Sequence, residues 1–271
     1  MLTTLTLNGQ EVMFEERGYK FSKYTVVLFP GLCHDPNTWK YIYPFLIQKY
    51  RVITLIWKGH GTNRDPAPEW KIEDMVSNTI SLMDALEVGA FIPLTHSMGS
   101  WAAMDIAEKL GKQRVPAMLL TDLIMGDPGS DYYEILNGIQ NPKTWFEYTK
   151  RFFDGWLPKI TNPNIIDAFY NHGGGHNYHH WANSAVLAKS QFMKWGSAQK
   201  RLELIKEPPL VRHAFSHPDT KENISLQQEM AEKHCWFTFA QLFGETHFPT
   251  MEIPESVALQ LNALIRLLEH V

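Results

Sequence analysis

Thr95-His96-Ser97-Met98-Gly99-Ser100-Trp101 lies between an apolar run (Phe91, Ile92, Leu94) and a helical stretch from Ala102 to Leu110. A strand that ends in Ser-x-Gly and turns at once into a helix lifts the serine hydroxyl to the carboxyl edge of a sheet. The first small residue of that pattern, ordinarily glycine, is Thr95. The departure leaves open whether Ser97 attacks a substrate or only hydrogen-bonds to one.

The neighbouring sequence repeats the same rhythm. Residues 3–7 and 11–16, separated by Asn8-Gly9, read as a β-hairpin. Thr25–Phe29 is a continuous apolar strand ending in Pro30-Gly31, and Arg51–Trp57 is a second ending in Lys58-Gly59-His60-Gly61. Phe91–Thr95 and Ala117–Thr121 follow, the latter ending in Asp122. Helical stretches such as Met75–Leu86 separate them, and strands apolar on both faces alternating with helices predict a mostly parallel sheet flanked by helices.

Past Asp122 the rhythm breaks. Residues 126–207 carry no clear strand and are rich in aromatics, including Phe152-Phe153-Asp154-Gly155-Trp156 and the triplet Gly173–Gly175. This segment is expected to be a helical cap inserted into a core formed by 1–125 and 208–271. Strand character returns at Leu210–Phe215 and Trp236–Phe243. The last helix begins near Pro254, and Val257, Leu261, Leu264 and Leu268, widened by Ile265, form one buried stripe.

Composition narrows the function classes. The chain has 271 residues, 44% apolar, enough for one α/β domain with an insertion. Net charge is −4 with scattered basic residues, so no nucleic-acid footprint is expected. The first residues lack a basic start and an apolar core, and no apolar run reaches membrane-spanning length. Only Cys33 and Cys235 occur, which fits a cytoplasmic protein without a disulfide framework. Nine tryptophans and fifteen phenylalanines suit a core or a pocket for a flat aromatic ligand.

In open α/β sheets, ligands bind beyond the carboxyl ends of the strands. Four groups fall there: the Gly31–Asp35 loop, Ser97, Asp122 and His247, the last within Gly244-Glu245-Thr246-His247-Phe248-Pro249. The order Ser…Asp…His is that of α/β-hydrolases. A carboxylate that holds a histidine fixes its tautomer and stabilises its protonated form, making it a general base. Asp219, after the next strand, competes with Asp122 for that task. Backbone N–H groups of Leu32 and Met98 are placed to form an oxyanion hole. His34 and His60 flank the expected mouth. His172, His176, His179 and His180 lack regular ligand spacing and read as polar cap surface rather than a metal site. Trp101, Trp156 and Trp181 read first as packing residues.

At this level of detail the chain resembles the cofactor-free, ring-cleaving 2,4-dioxygenases of 3-hydroxy-4(1H)-quinolones, a branch of the α/β-hydrolase fold. The likeness spans nearly the whole chain. It rests on Pro30–Asp35, Ile56–His60, the elbow, Asp122, Phe152–Trp156, Lys194-Trp195-Gly196-Ser197 and Thr246–Pro249. The resemblance implies His247 as base, Asp122 as its orienting acid, and Ser97 as a substrate hydrogen-bonding group. It implies Leu32 and Met98 as oxyanion donors, His34, Trp156 and Trp101 as pocket residues, and O2 as co-substrate with neither metal nor organic cofactor. Leu32 and Met98 depart from a relative that carries tryptophan and histidine there. The smaller Leu32 leaves room for a 2-alkyl ring substituent of the quorum-sensing type. Two other readings use the same residues: an esterase or amidase built on Ser97, His247 and Asp122 (or Asp219), and a non-catalytic small-molecule receptor.

Overall fold

The computed structural model describes residues 2–32, 36–60, 71–157, 161–167 and 177–270. Eight strands form one sheet: β1 (Leu2–Leu7), β2 (Gln10–Gly18), β3 (Thr25–Phe29), β4 (Arg51–Ile56), β5 (Phe91–His96), β6 (Ala117–Thr121), β7 (Leu210–Phe215) and β8 (Phe237–Gln241). Their order is β1-β2-β4-β3-β5-β6-β7-β8. The β1–β2 and β2–β4 pairs are antiparallel and the rest parallel. Asn8 and Gly9 take φ of 52° and 76°, the doubly left-handed turn that matches strand twist in a two-residue hairpin.

The strands are apolar on both faces because both faces are covered. Val27 and Phe29 of β3 join Met118 and Leu120 of β6 in one core layer, while Val26, Leu28, Ala117 and Leu119 enter the other. On the second face lie α1 (Tyr43–Leu46) and the last helix; on the first lie α2 (Ile72–Ala85) and α3 (Gly99–Arg114). The helix after the elbow thus begins at Gly99 and reaches Arg114, passing a break at Gly111. Strand β8 is shorter than the apolar run that suggests it. Leu242 N–H makes the last bond, to Phe215 carbonyl oxygen, and Phe243 then turns out to solvent at 93% exposure.

Residues 126–207 carry α4 (Gly129–Ile139), α5 (Trp145–Trp156), α6 (Pro163–Ile166), α7 (Tyr178–Trp195) and α8 (Ala198–Glu203), with no strand among the described residues. Leu136, Ile139, Phe152, Trp181, Ala185 and Ala188 give these helices their own small core. Trp181 packs edge-on against Phe153 at 5.4 Å, the packing role expected of it. The return to the sheet is tied down by Arg201, buried on α8. Its guanidinium reaches Asp105 (2.8 Å) and Glu108 (2.7 Å) on α3 and stacks over the Trp195 ring. Helix α9 (Lys221–Lys233), α10 (Pro249–Glu252) and α11 (Pro254–His270) complete the chain, and the α11 stripe of Val257, Leu261, Leu264 and Ile265 is buried.

Candidate active site

The elbow forms because Gly99 lets α3 begin against β3. A Cβ there would lie 2.5 Å from Pro30 carbonyl oxygen and 2.6 Å from Phe29 carbonyl oxygen, so only glycine fits. Ser97 takes φ of 47°, the left-handed conformation that aims its side chain outward. Its N–H donates to Thr121 carbonyl oxygen (2.9 Å). Such a backbone in a non-glycine residue costs on the order of 1–3 kcal/mol and concentrates at functional sites. Thr95 is accommodated because its buried hydroxyl pairs with that of Ser100 at 2.6 Å.

The next strand end repeats the device. Asp122 sits at φ 45° with its N–H bonded to Ala214 carbonyl oxygen (3.1 Å). Its carboxylate accepts the Ser216 N–H (2.6 Å) and the His217 N–H (3.3 Å). The same Oδ2 lies 3.4 Å from His247 Nδ1. Asp219 is exposed, so Asp122 is the carboxylate at the ring. The loop carrying His247 is held from both sides. Glu252 accepts the Glu245 N–H (2.6 Å), the Thr246 N–H (2.9 Å) and the Thr246 hydroxyl (2.7 Å). Across the sheet edge, His96 Nε2 donates to His247 carbonyl oxygen (2.7 Å) and its ring stacks on Phe248. Because a carbonyl only accepts, this bond assigns the His96 proton to Nε2.

Burial opposes charge on both members of the central pair. It pushes the Asp122 carboxyl up to about 7 and the His247 ring down to about 3. The Ser216 and His217 N–H groups favour the ionised carboxylate and work against that burial. Neutral imidazole with its Nδ1 proton held by a carboxylate leaves the other nitrogen basic. In front of the elbow lies a narrow pocket with about 270 Å³ of empty space, open solvent at its mouth included. Its lining includes Leu32, Ser97, Met98, Trp101, Leu123 and Ile124, with Tyr132 from α4 and Ala188 and Phe192 from α7. The N–H groups of Leu32 and Met98 have no hydrogen-bond partner among the described residues.

The alpha/beta hydrolase family model matches residues 26–258. A 2-heptyl-3-hydroxy-4(1H)-quinolone dioxygenase of Mycobacteroides abscessus is 38% identical over 265 residues, 98% of each chain. The chain belongs to the α/β-hydrolase family, among its 3-hydroxy-4-quinolone dioxygenases. A 2-heptyl-3-hydroxy-4-quinolone dioxygenase of Rhodococcus erythropolis is 32% identical over 98% of each chain. A solved structure concerned with recognition and ring cleavage of the Pseudomonas quinolone signal superposes with a TM-score of 0.95 and 36% identity, covering both chains completely.

The geometry also sorts the remaining candidates from the sequence. Ser97, Leu32, Met98 and Trp101 meet at the pocket, and His247 and Asp122 meet beside the elbow. Cys33, His34, Asp35, His172, Gly173–Gly175 and His176 lie outside the described residues, as does the side chain of Trp156. His60 is not at the mouth but 1% exposed: its Nδ1 faces Lys58 carbonyl oxygen and its ring meets Trp57 edge-on. His180 likewise departs from the polar-surface reading. It is buried with Nδ1 2.9 Å from Asn177 Oδ1, which also caps α7, whereas His179 is exposed. Among the described residues, no three metal-ligating side chains cluster.

Sequence reasoning passed over three groups. His96 lies inside the elbow motif beside Ser97, and Tyr132 lies in the segment read only as helical, so neither stands out. His213 read as a strand residue, yet its buried Nε2 accepts the Leu123 N–H (3.2 Å) and so steadies the backbone after Asp122. A lone histidine inside an apolar strand was the available signal for it.

Proposed function

We propose that this protein cleaves the heterocyclic ring of a 2-alkyl-3-hydroxy-4(1H)-quinolone with O2. The products are an N-acylanthranilate and carbon monoxide, which removes a quorum-sensing type of signal. The observations that carry this reading are a buried His247 with Asp122 at 3.4 Å, its carbonyl bonded to His96 of the elbow, and an apolar, aromatic-walled pocket at Ser97, in a chain similar over its full length to dioxygenases of such quinolones.

The chemistry follows from the residues. His247 takes the proton of the substrate 3-hydroxyl, and the imidazolium formed is stabilised by Asp122. The ring anion is electron-rich enough to react with O2, which becomes a peroxide at C2. The distal oxygen adds to the C4 carbonyl, and the N–H groups of Leu32 and Met98 stabilise the oxyanion formed there. The O–O bond then breaks together with C2–C3 and C3–C4, and C3 leaves as carbon monoxide. Ser97 hydrogen-bonds the substrate without attacking it. The base removes the proton and the substrate anion supplies the electrons that reduce O2, so no metal or organic cofactor is required in this scheme. Leu32 and the apolar lining leave space for the 2-alkyl chain. Cysteine usage suits a cytoplasmic site of action.

The test is an aerobic assay of metal-stripped protein with 2-heptyl-3-hydroxy-4(1H)-quinolone, following carbon monoxide release and O2 uptake, beside a p-nitrophenyl ester. Stoichiometric carbon monoxide and O2 consumption, retained in Ser97→Ala to within about tenfold, supports the reading. The left-handed Ser97 in the pocket floor favours esterase chemistry as the second reading. Ester turnover without carbon monoxide, together with a trapped acyl-Ser97, would establish that instead.

A further inference from the structure

The pocket lining holds few polar side-chain atoms, and one of them comes from the cap. Tyr132, on α4, reaches the same space as Ser97, and its hydroxyl makes no hydrogen bond to another described residue. The ring itself is fixed: it packs at 6.1 Å on Phe152 and edge-on at 5.8 Å against Phe192, which in turn meets Trp101 at 5.2 Å. A half-buried phenol held between aromatic rings at the wall of an apolar pocket is placed to serve a ligand. Burial also raises its pKa, so it stays a neutral hydroxyl, able to donate or accept.

Resting on the quinolone reading above, we infer that the Tyr132 hydroxyl accepts the ring N1–H of the substrate and so fixes its orientation. The hydroxy-ketone edge, O3 and C4=O, must face the core, where His247 and the amides of Leu32 and Met98 lie. N1 stands across the ring from C4, so its N–H points away from the core and toward the cap. Left without an acceptor in this apolar space, that N–H loses its hydrogen bond on leaving water, a cost that weakens binding by about tenfold or more. Tyr132 is therefore a positioning residue that selects 4-quinolones over flat rings of equal shape that carry no N–H.

The experiment measures anaerobic binding, by tryptophan fluorescence, of 2-heptyl-3-hydroxy-4(1H)-quinolone and of its chromone analogue, in which a ring oxygen replaces N–H. Both are titrated into wild type and Tyr132→Phe, whose folding is checked by thermal unfolding. Tyr132→Phe is expected to weaken the quinolone about tenfold and to change chromone binding less than twofold. Equal weakening of both compounds, or unchanged quinolone affinity, overturns the assignment while leaving the quinolone reading intact, provided wild type still releases carbon monoxide. Wild type that neither binds the quinolone nor releases carbon monoxide overturns both.

Discussion

Replacing Asp122 by Asn isolates the part of catalysis that depends on the acid. All three of its partners are donors: the N–H groups of Ser216 and His217 and the His247 ring. An asparagine offers one acceptor oxygen. If that oxygen keeps the shortest bond, to Ser216, the NH2 group faces His247 Nδ1 and forces the ring proton onto Nε2. The basic nitrogen is then occupied and the counter-charge for an imidazolium is gone. A carboxylate 3.4 Å from the ring contributes about 5 kcal/mol at an effective dielectric of about 20. That corresponds to a loss of about 10³- to 10⁴-fold in rate. The assay is a single-turnover measurement of substrate decay at saturating O2, with carbon monoxide quantified. Because the deficit lies in proton removal, the variant should recover rate as pH approaches the substrate hydroxyl's own pKa, where the anion arrives preformed. A folded variant that loses less than tenfold, or shows no such recovery, refutes the role assigned to Asp122.

Four buried histidines have pKa values pushed below the ordinary 6.5 by burial: His60 and His213 to about 4, His96 and His247 to about 3. Their neutral forms stabilise the fold above pH 6.5, and that stability is lost as pH falls, at about 1.4 kcal/mol per pH unit for each proton the unfolded chain takes up. Asp122, raised above its ordinary value, opposes them with a single proton between about 4 and 7. The melting temperature should therefore fall from pH 6.5 toward 4, and a flat profile would contradict this. Arg201→Ala strands Asp105 beside a buried cavity and should cost about 3–5 kcal/mol in denaturant unfolding; a loss below about 1 kcal/mol would show the pair to be incidental. Gly99→Ala drives a methyl into the Phe29 and Pro30 carbonyl oxygens and should destabilise the protein by at least about 2–3 kcal/mol, read as low soluble yield or a lowered melting temperature. Leu32→Trp fills the pocket side that the alkyl chain needs, so kcat/KM for the 2-heptyl compound should drop relative to the 2-methyl compound; an unchanged ratio would place the chain elsewhere.

The sequence alone determined the sheet and its elbow. Apolar runs such as Val26–Phe29 and Ala117–Leu120 admit only strands covered on both faces, and Gly99 after Ser97 dictates the sharp turn into α3. These are local facts, since period, chain stiffness and the space a Cβ requires are written in neighbouring residues. The order Ser97, Asp122, His247 was equally readable, because each follows its own strand. Tertiary structure decided what those residues meet. Asp122 and Asp219 are alike as sequence, and only the packing of β6 beside β7 aims the Ser216 and His217 amides at Asp122 and leaves Asp219 in solvent. The burial of His60 and His180, the hold of His96 on the His247 carbonyl, and the meeting of Tyr132 with Ser97 across one pocket join residues 35 to 151 positions apart or bury them under distant elements. Such contacts depend on three-dimensional closure of the chain, so no local pattern carries them.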